Sequence, residues 1–457
     1  MDPLIKEKGE CSEMNKCFSA ICLAAVVLFV KLGSCEENSP PKGLFSGYAS
    51  VQAGEVMNGR GIGTISGLDH RWLQTGYAGL MADAAVSDHF HVLAALEGEL
   101  DFSFGVNPGA VDMYRQTEMP RTILNIKHAE GIYSFGNPEQ PFLQFEGGLF
   151  PYKYNPDARN LGEYLFRSFP YPQYIINVFD RPYTDMAGLR IGNRVGTGFH
   201  QDLLFTSEIH NFPLMDFSLS YCAGYNLAKV IEVSAGTDFD RLFPVNNMFT
   251  TPQGENLTAN HYYTPSGDSG FYTFSGIKTM ARVSFDPKIF LPGNFFGNED
   301  LKVYSEIAIL GLKNYPVDTN RSTAYYSKLS ERMPIMVGFN FPVCAPALSR
   351  LIGFKLLDLA NGEIEYFPNR FPNSFDRTFS DYLPLPTNED QANKHDNLRW
   401  STYVKRDCGK NCSVIVQIAH DHLIPETFTL AQGQTDRTDV LLRHGDWWWV
   451  AKTQFTF

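Results

Sequence analysis

The sequence has no long hydrophobic run beyond residue 35. No segment there holds the ~18 consecutive apolar residues that a membrane-spanning helix needs, so spanning helices are excluded from that region. Charged residues are scarce at 19%, whereas aromatic residues make up 14% of the 457 residues. Many aromatic residues without a hydrophobic run are typical of alternating β-strands, because successive side chains of a strand point to opposite faces.

The sequence features of nucleic-acid binders, of common enzyme classes and of metal sites are also missing. The net charge of −12 argues against a general nucleic-acid binder, which needs a basic face. Gly-x-Ser-x-Gly, a phosphate loop and paired Cys-x-x-Cys motifs are absent, so no enzyme activity and no cofactor are expected. His89 and His91 share one face of a strand, but no further ligands accompany them and no metal is expected. An enzyme is the least favoured alternative.

Cysteine is used sparingly after residue 35. Cys408 and Cys412 flank a three-residue turn, and in an oxidising compartment they could form a disulfide across it. A metal site is the less favoured alternative, since no second Cys/His pair with ligand spacing lies nearby. Cys222 and Cys344 are expected to be unpaired.

The first 35 residues have the features of an export signal. Lys16 precedes an apolar stretch at 17–30 that has the length of a signal-peptide core. Met14 is a plausible true start, because residues 1–13 are polar. The Leu-Gly-Ser-Cys sequence that ends at Cys35 resembles a bacterial lipoprotein box, which makes Cys35 a candidate for lipidation; ordinary cleavage nearby is the alternative. Residues 36–43 are expected to be a short periplasmic tether.

The clearest pattern follows Trp72. Residues 72–86 and 89–104 alternate, with apolar side chains on one face and, in the second run, acids and histidines on the other. Ser87 and Asp88 join the two runs as a tight turn. A strand of ~15 residues is ~50 Å long, whereas strands of globular proteins have ~5–6 residues. A long hairpin that is apolar on one side and acidic on the other fits a membrane β-barrel.

The same alternation continues to the end of the chain. Counting backward from the last strand, about 16 strands (14–18) fit residues 44–457, with short and long connections in turn. The chain ends with an amphipathic strand, Trp447–Phe457, in which Trp447, Trp449, Phe455 and Phe457 share one face.

A final strand of this kind resembles the C-terminal signal of Gram-negative outer-membrane β-barrels, and the whole pattern loosely resembles porins. The resemblance implies an all-β transmembrane antiparallel barrel with short periplasmic turns and long outer loops, lying in the outer membrane. It also implies outer-membrane lipids and the barrel assembly machinery as partners, and a homo-trimer as a possible state. A barrel of this size usually encloses water.

Charged residues recur at the inward-facing positions of the predicted strands. Acids and bases lie on separate strands, and across a narrow aqueous lumen such charges select ions by sign. The alternative is that neighbouring strands form salt bridges that do not affect permeation. The candidate pore-lining residues are Glu97, Glu99, Asp101, Arg190, Arg194, Glu232, Asp238, Asp240, Lys278, Arg282, Glu363, Glu365, Arg399 and Lys405.

Residues 151–184 form the third predicted outer loop, with a short helix expected over 157–167. A loop of ~30 residues is usually functional or disordered, and this one is too aromatic for disorder. The third loop of trimeric general porins narrows the lumen, and by that resemblance Arg159, Glu163 and Arg167 are candidates for a constriction. The alternative is an outward-facing lid or a partner-contact loop.

The favoured hypothesis is a porin-like channel for passive diffusion of small hydrophilic solutes or ions. The alternative is a barrel with little conductance whose long loops bind a partner, an envelope polymer or a substrate. Four long loops rich in Tyr, Phe and Asn support that alternative, namely residues 151–184, 243–269, 368–397 and 423–445.

Overall fold

The fold was examined in a computed structural model of the chain. The structure describes residues 42–58, 71–101, 121–138, 140–167, 183–193, 198–209, 215–228, 230–243, 245, 261–263, 266–267, 269–271, 275–291, 296–312, 329–343, 356–368, 398–420 and 445–457. Cys35, Arg194 and Cys344 lie outside these residues, as do the predicted signal segment and tether up to residue 41.

Eighteen strands are described. Their bounds are β1 Lys42–Asn58, β2 Arg71–Ala85, β3 Phe90–Asp101, β4 Arg121–Asn137, β5 Gln140–Tyr152, β6 Thr184–Asn193, β7 Phe199–Ser207, β8 Phe217–Leu227, β9 Ile231–Phe243, β10 His261–Tyr263, β11 Ser269–Phe271, β12 Gly276–Phe285, β13 Val303–Leu310, β14 Ile335–Asn340, β15 Leu359–Tyr366, β16 Leu398–Asp407, β17 Cys412–His420 and β18 Trp447–Thr456. One short α-helix, α1, spans Tyr164–Arg167.

Sixteen of these strands form one closed antiparallel barrel. Every strand pairs with its neighbours in sequence, except that β9 pairs with β12 and that β10 and β11 make a separate hairpin. β1 and β18 close the ring, with Tyr48 opposite Thr456 and Ala53 opposite Ala451. The predicted number of sixteen strands and the predicted antiparallel barrel are therefore confirmed. The weakly patterned first strand, predicted over 44–55, is one of the longest.

Burial alternates along the strands as period-two geometry requires. On β15 the side chains of Glu363 and Glu365 are buried, whereas Ile364 between them is 54% exposed. The same contrast separates Glu97 from the half-exposed Leu96 on β3. The outer surface of these strands is therefore apolar and their inward-facing positions are polar, because in a closed barrel one face of each strand must point inward.

The two ends of the barrel differ in their connections. At the end that we call the turn end, compact connections cover 86–89, 138–139, 228–230 and 408–411. The turn end also has the short connection 194–198 between β6 and β7, and two connections, 286–302 and 341–358, that are longer than predicted. The predicted strand that began at Phe271 begins instead at Gly276, because Phe271 belongs to the separate β10–β11 hairpin. Among the described residues, no helix is both long enough and apolar enough to cross a membrane.

Candidate functional site

Residues 153–167, which we call the infolded segment, lie inside the barrel. The segment leaves the end of β5, and its helix α1 contacts β9, β12 and β13. Its backbone also reaches Glu363 on β15. In the closed ring, β5 and β15 are half a circumference apart, so a segment that connects them crosses the interior.

Glu363 binds one end of the infolded segment. Its two carboxylate oxygens accept hydrogen bonds from the backbone N–H groups of Arg159 (2.6 Å), Asn160 (2.8 Å) and Leu161 (2.8 Å). The Tyr304 hydroxyl donates a fourth at 2.6 Å. Glu363 is 1% exposed, and the dense set of donors explains how a carboxylate can be buried there.

Glu306 binds the other end in the same way. It accepts from the backbone N–H groups of Glu163 (3.1 Å) and Tyr164 (2.9 Å). The Asn155 side-chain amide donates at 2.8 Å, and the Tyr154 hydroxyl donates as well. Glu306 is fully buried, so two barrel-wall carboxylates fix the fold of the infolded segment.

These contacts explain why the helix predicted over 157–167 is shorter than expected. Only Tyr164–Arg167 is helical, and residues before it form turns. The N–H groups that a helix would pair with carbonyls four residues earlier donate instead to Glu306 and Glu363. Gly162 and Glu163 have φ values of 88° and 61°, which end any helix at that point.

An apolar cluster lies between the infolded segment and the barrel wall. Its aromatic members from the segment contact each other edge-on, with the Tyr154 and Phe166 ring centroids 5.7 Å apart. The cluster excludes water from the carboxylate contacts, which strengthens them. The buried members are Phe150, Tyr152, Tyr154, Ala158, Leu161, Tyr164, Leu165, Met186, Leu204, Cys222, Met280, Tyr304, Ala308, Leu310, Met336 and Phe367.

Glu163 is a buried acid within the segment itself. Its carboxylate accepts from the backbone N–H groups of Tyr154 (3.4 Å) and Asn155 (2.5 Å). Burial raises the pKa of Glu163 to about 8, and the neighbouring carboxylate of Glu306 raises it further, against the lowering effect of Lys153. The segment therefore holds a carboxyl group that titrates in the neutral range.

The three predicted constriction residues occupy different environments. Glu163 is fully buried and Arg167 is 4% exposed, with Nη1 donating to the Asn160 carbonyl at 2.8 Å. Arg159 is the accessible one: its side chain is 24% exposed, and Nη2 lies 3.5 Å from Oε2 of Glu299. Arg159 is thus the only one of the three with a substantially exposed side chain.

Several of the predicted pore-lining charges pair between neighbouring strands. Lys278 Nζ lies 3.1 Å from Asp238 Oδ2, and Arg282 Nη2 lies 2.8 Å from Glu232 Oε1. These pairs join β12 to β9, so the base-rich strand lies beside the acid-rich one instead of opposite to it. These four residues therefore form salt bridges between neighbouring strands, which was the alternative prediction to ion selection across the lumen.

Arg190 lies between two acids that the sequence analysis did not select. Its Nη1 is 2.6 Å from Glu146 Oε2 and its Nε is 2.9 Å from Asp202 Oδ1. The guanidinium also lies over the Tyr152 ring, 5.4 Å from its centroid. Both acids are on flanking strands: the register places Glu146 directly opposite Arg190, and Asp202 opposite Gly192, two residues further along the strand.

The remaining predicted residues have individual contacts. Glu97 accepts from the Tyr48 hydroxyl and lies 3.6 Å from Lys127 Nζ. Glu365 accepts from the Tyr164 hydroxyl at 2.8 Å. The others are Glu99 and Arg399, both buried, Asp240, which accepts from Ser218 at 3.3 Å, and Lys405, 3.0 Å from Asp407. The side chain of Asp101 lies outside the described part of the chain.

Several residues that hold the infolded segment were not predicted from the sequence. Glu306 and Tyr304 occupy inward-facing positions of a predicted strand but were not predicted as site residues. Asn155 was predicted only as a candidate helix cap, and Tyr154 had no predicted role. One signal was available for Glu306: it is an acid at an inward-facing position of an otherwise apolar strand, and the strand register places it opposite Arg282. Its partners, however, are 142–152 positions away along the chain.

Cys408 and Cys412 flank the turn between β16 and β17, as predicted. The Cys408 N–H donates to the Cys412 carbonyl at 2.7 Å, and both thiols are free in this structure. The disulfide remains a prediction. Within the described ranges, no three His, Cys, Asp or Glu side chains are grouped so that they could hold a metal ion.

Comparison with known proteins gives matches among solved structures alone. No family model and no curated protein matches the chain. Two mutants of the porin of Rhodopseudomonas blastica match with 8% identity, covering 91% of this chain and 100% of theirs, at TM-scores of 0.43 and 0.41. At that distance the match carries no argument, and the fold stands on the strand pairing described above.

Proposed function

We propose that this chain is a porin-like channel for passive diffusion of small hydrophilic solutes or ions through an outer membrane. The observation that carries the proposal is a closed barrel with an apolar outer face and a charged, polar inner face. Spanning strands must leave no unpaired sheet edge in lipid, and the β1–β18 pairing meets that condition. An interior lined by ionisable groups suits water better than lipid.

The infolded segment is proposed as the constriction of this channel. It fills the side of the interior next to β5–β9 and β12–β15 with an apolar cluster, so the passage lies on the other side, bounded by β1–β4 and β16–β18. A segment fixed by two buried carboxylates narrows the passage permanently and sets an upper size for the solute.

The proposal also covers the export, membrane insertion and assembly of the barrel. Residues 1–35 direct export, 36–41 form a periplasmic tether that ends where β1 begins, and Cys35 is the site of lipidation if the Leu-Gly-Ser-Cys box is used. The barrel assembly machinery inserts the chain into outer-membrane lipids, and three copies associate as a homo-trimer. Pore lining by the predicted charged residues, including Arg194 and Asp101, is part of the proposal.

The test is single-channel recording of the refolded protein in a planar bilayer with a potassium chloride gradient. Steady open currents with a defined reversal potential are expected for a diffusion channel. Electrical silence from protein whose circular dichroism shows the full strand content contradicts the proposal. It would favour the alternative, a closed barrel whose long outer loops bind a partner.

A further inference from the structure

The charges of the infolded segment are sorted by sign. Residues 153–167 contain three cations, Lys153, Arg159 and Arg167, and two acids, Asp157 and Glu163. Both acids are buried, whereas Lys153 is partly accessible and Arg159 has a side chain 24% exposed. The accessible charge of the segment is therefore positive.

The acids are turned toward the barrel wall or into the segment. Asp157 lies 3.6 Å from Arg282 Nη2 and 3.7 Å from Lys302 Nζ, both of which belong to the wall and its turn-end connection. Glu163 faces the backbone of Tyr154 and Asn155. Asp157 therefore does not offset the cations at the accessible surface, whereas Glu163 attracts Lys153 electrostatically and leaves Arg159 as the stronger cation for an anion.

Among the residues that the structure describes, a partly exposed acid, Glu299, contacts this surface and is shared between cations. Glu299, whose side chain is 38% exposed, lies 3.5 Å from Arg159 Nη2 and 3.0 Å from Lys302 Nζ. An exposed ion pair at that distance is weak, so Arg159 keeps most of its attraction for an incoming anion. In addition, the buried Arg159 Nε has no hydrogen-bond partner in the structure.

Lys153 lies within the electrostatic reach of both arginines. Its Nζ donates to the Ala158 carbonyl at 2.6 Å. Burial lowers the pKa of Lys153 to about 8; Arg159 and Arg167 also lower it, while Glu163 and Glu363 raise it. Because Nζ of Lys153 contacts the carbonyl of the residue next to Arg159, the two cations lie on the same part of the segment, and an anion bound there would reduce their mutual repulsion.

We propose that Lys153 and Arg159 form a weak binding site for small anions on the accessible surface of the infolded segment. The ligand class is small oxyanions, such as inorganic phosphate and carboxylates, whose oxygens accept from both side chains. The inference deepens the proposed function, on which it rests: anions pass the constriction more easily than cations, because the site raises their local concentration.

The first test is the chloride-to-potassium permeability ratio, from the reversal potential at pH 7. We expect a ratio above one for the unmodified protein and a fall of about fivefold, the effect of one unit charge at ~4 Å in water, in Lys153→Gln and in Arg159→Gln. Lys410→Gln is the matched control, since it removes one charge from the exposed turn 408–411 outside the barrel. It should leave the ratio unchanged.

The second test uses the titration of Lys153. Both proteins of this test carry Glu163→Gln, because Glu163 interacts with Lys153 and also titrates near 8. In that background the anion preference should decline between pH 7 and pH 9, whereas Lys153→Arg should retain it at pH 9, because a guanidinium stays protonated. A cation-selective channel, or equal ratios in the unmodified protein and both glutamine variants, overturns the inference while the proposed channel function stands.

The third test does not depend on current. Inorganic phosphate should bind the detergent-solubilised barrel in ³¹P line-broadening titrations, and Arg159→Gln should weaken that binding about fivefold, the value expected for one lost charge contact. Equal binding by the two proteins overturns the site. If the protein binds phosphate through Arg159 but passes no current, the anion site is supported and the proposed channel function is contradicted. The two failures are therefore distinguishable.

Discussion

The backbone N–H of Tyr164 donates to Oε1 of Glu306 at 2.9 Å, although the two residues are 142 positions apart. This contact joins the third long loop to the barrel wall on the far side of the interior. Glu306 also accepts from the Glu163 N–H at 3.1 Å. The buried carboxylate therefore determines where the loop lies and how firmly it is held.

Replacing Glu306 or Glu363 by Ala should release the infolded segment without opening the barrel. Each hydrogen bond to a charged group contributes about 1.5–3 kcal/mol, and each residue accepts several from the segment. Amide hydrogen exchange of residues 159–164 should accelerate by at least tenfold in either variant. Glu299→Gln is the control, since its carboxylate contacts side chains and is exposed. Unchanged exchange in Glu306→Ala would mean that the apolar cluster alone holds the segment.

The stability of the docked infolded segment should depend on pH, because Glu163 titrates. Its pKa in the folded state, about 8, is above the usual value of 4.5, mainly because of burial and then because of Glu306. A raised pKa means that the folded state holds the proton more strongly, so the contribution to docking is complete below pH 4.5 and is lost as pH rises through 8.

The measurement for Glu163 is the amide exchange of the segment between pH 6 and pH 9.5, corrected for the intrinsic pH dependence of exchange. Opening should increase over this range in the unmodified protein and remain flat in Glu163→Gln, which cannot ionise. Identical profiles for the two proteins would contradict the raised pKa.

Arg190→Ala should destabilise the barrel and also change its selectivity. Removing one member of a buried ion pair costs about 3–5 kcal/mol, and here two acids, Glu146 and Asp202, are left uncompensated. The unfolding midpoint in urea should fall, and the reversal potential should move toward cations. Adding Glu146→Gln to the variant should recover part of both effects. An unchanged reversal potential would place Arg190 outside the conducting path.

The thiols should differ in reactivity according to burial. Cys408 is exposed and Cys412 half-buried, whereas Cys222 is 6% exposed within the apolar cluster. In reduced, folded protein a maleimide should modify the two turn cysteines and leave Cys222 unmodified until the barrel unfolds. If the predicted disulfide forms on oxidation, both turn thiols become unreactive and the mass falls by ~2 Da, for two hydrogens. Reaction of Cys408 and Cys412 after oxidation would exclude that bond.

The barrel was predictable from the sequence because alternation is a local property. The pattern around Leu96 and Glu97 requires one apolar and one polar face, and that requirement repeats strand after strand until the ring closes. The short helix α1 and the exact start of β12 were not predictable in this way. Their bounds depend on hydrogen bonds to Glu306 and on the separate hairpin that contains Phe271.

The candidate site was predictable only in part. Period-two parity placed Glu363 and Arg190 on the inner face, but it carries no information about partners on other strands or loops. The three backbone donors of Glu363 come from about 200 positions earlier in the chain, and no local pattern marks them. Likewise, the burial of Glu163 next to Glu306 follows from the tertiary path of the loop.

Single-channel conductance of the unmodified protein against the Glu306→Ala/Glu363→Ala double variant tests the central claim most directly. The account predicts a steady, narrow conductance for the unmodified barrel, and a larger and noisier one for the double variant, whose segment no longer stays against β12–β15. Equal conductance in both proteins, with the strand content unchanged, would contradict the claim that these two carboxylates hold a constriction in place.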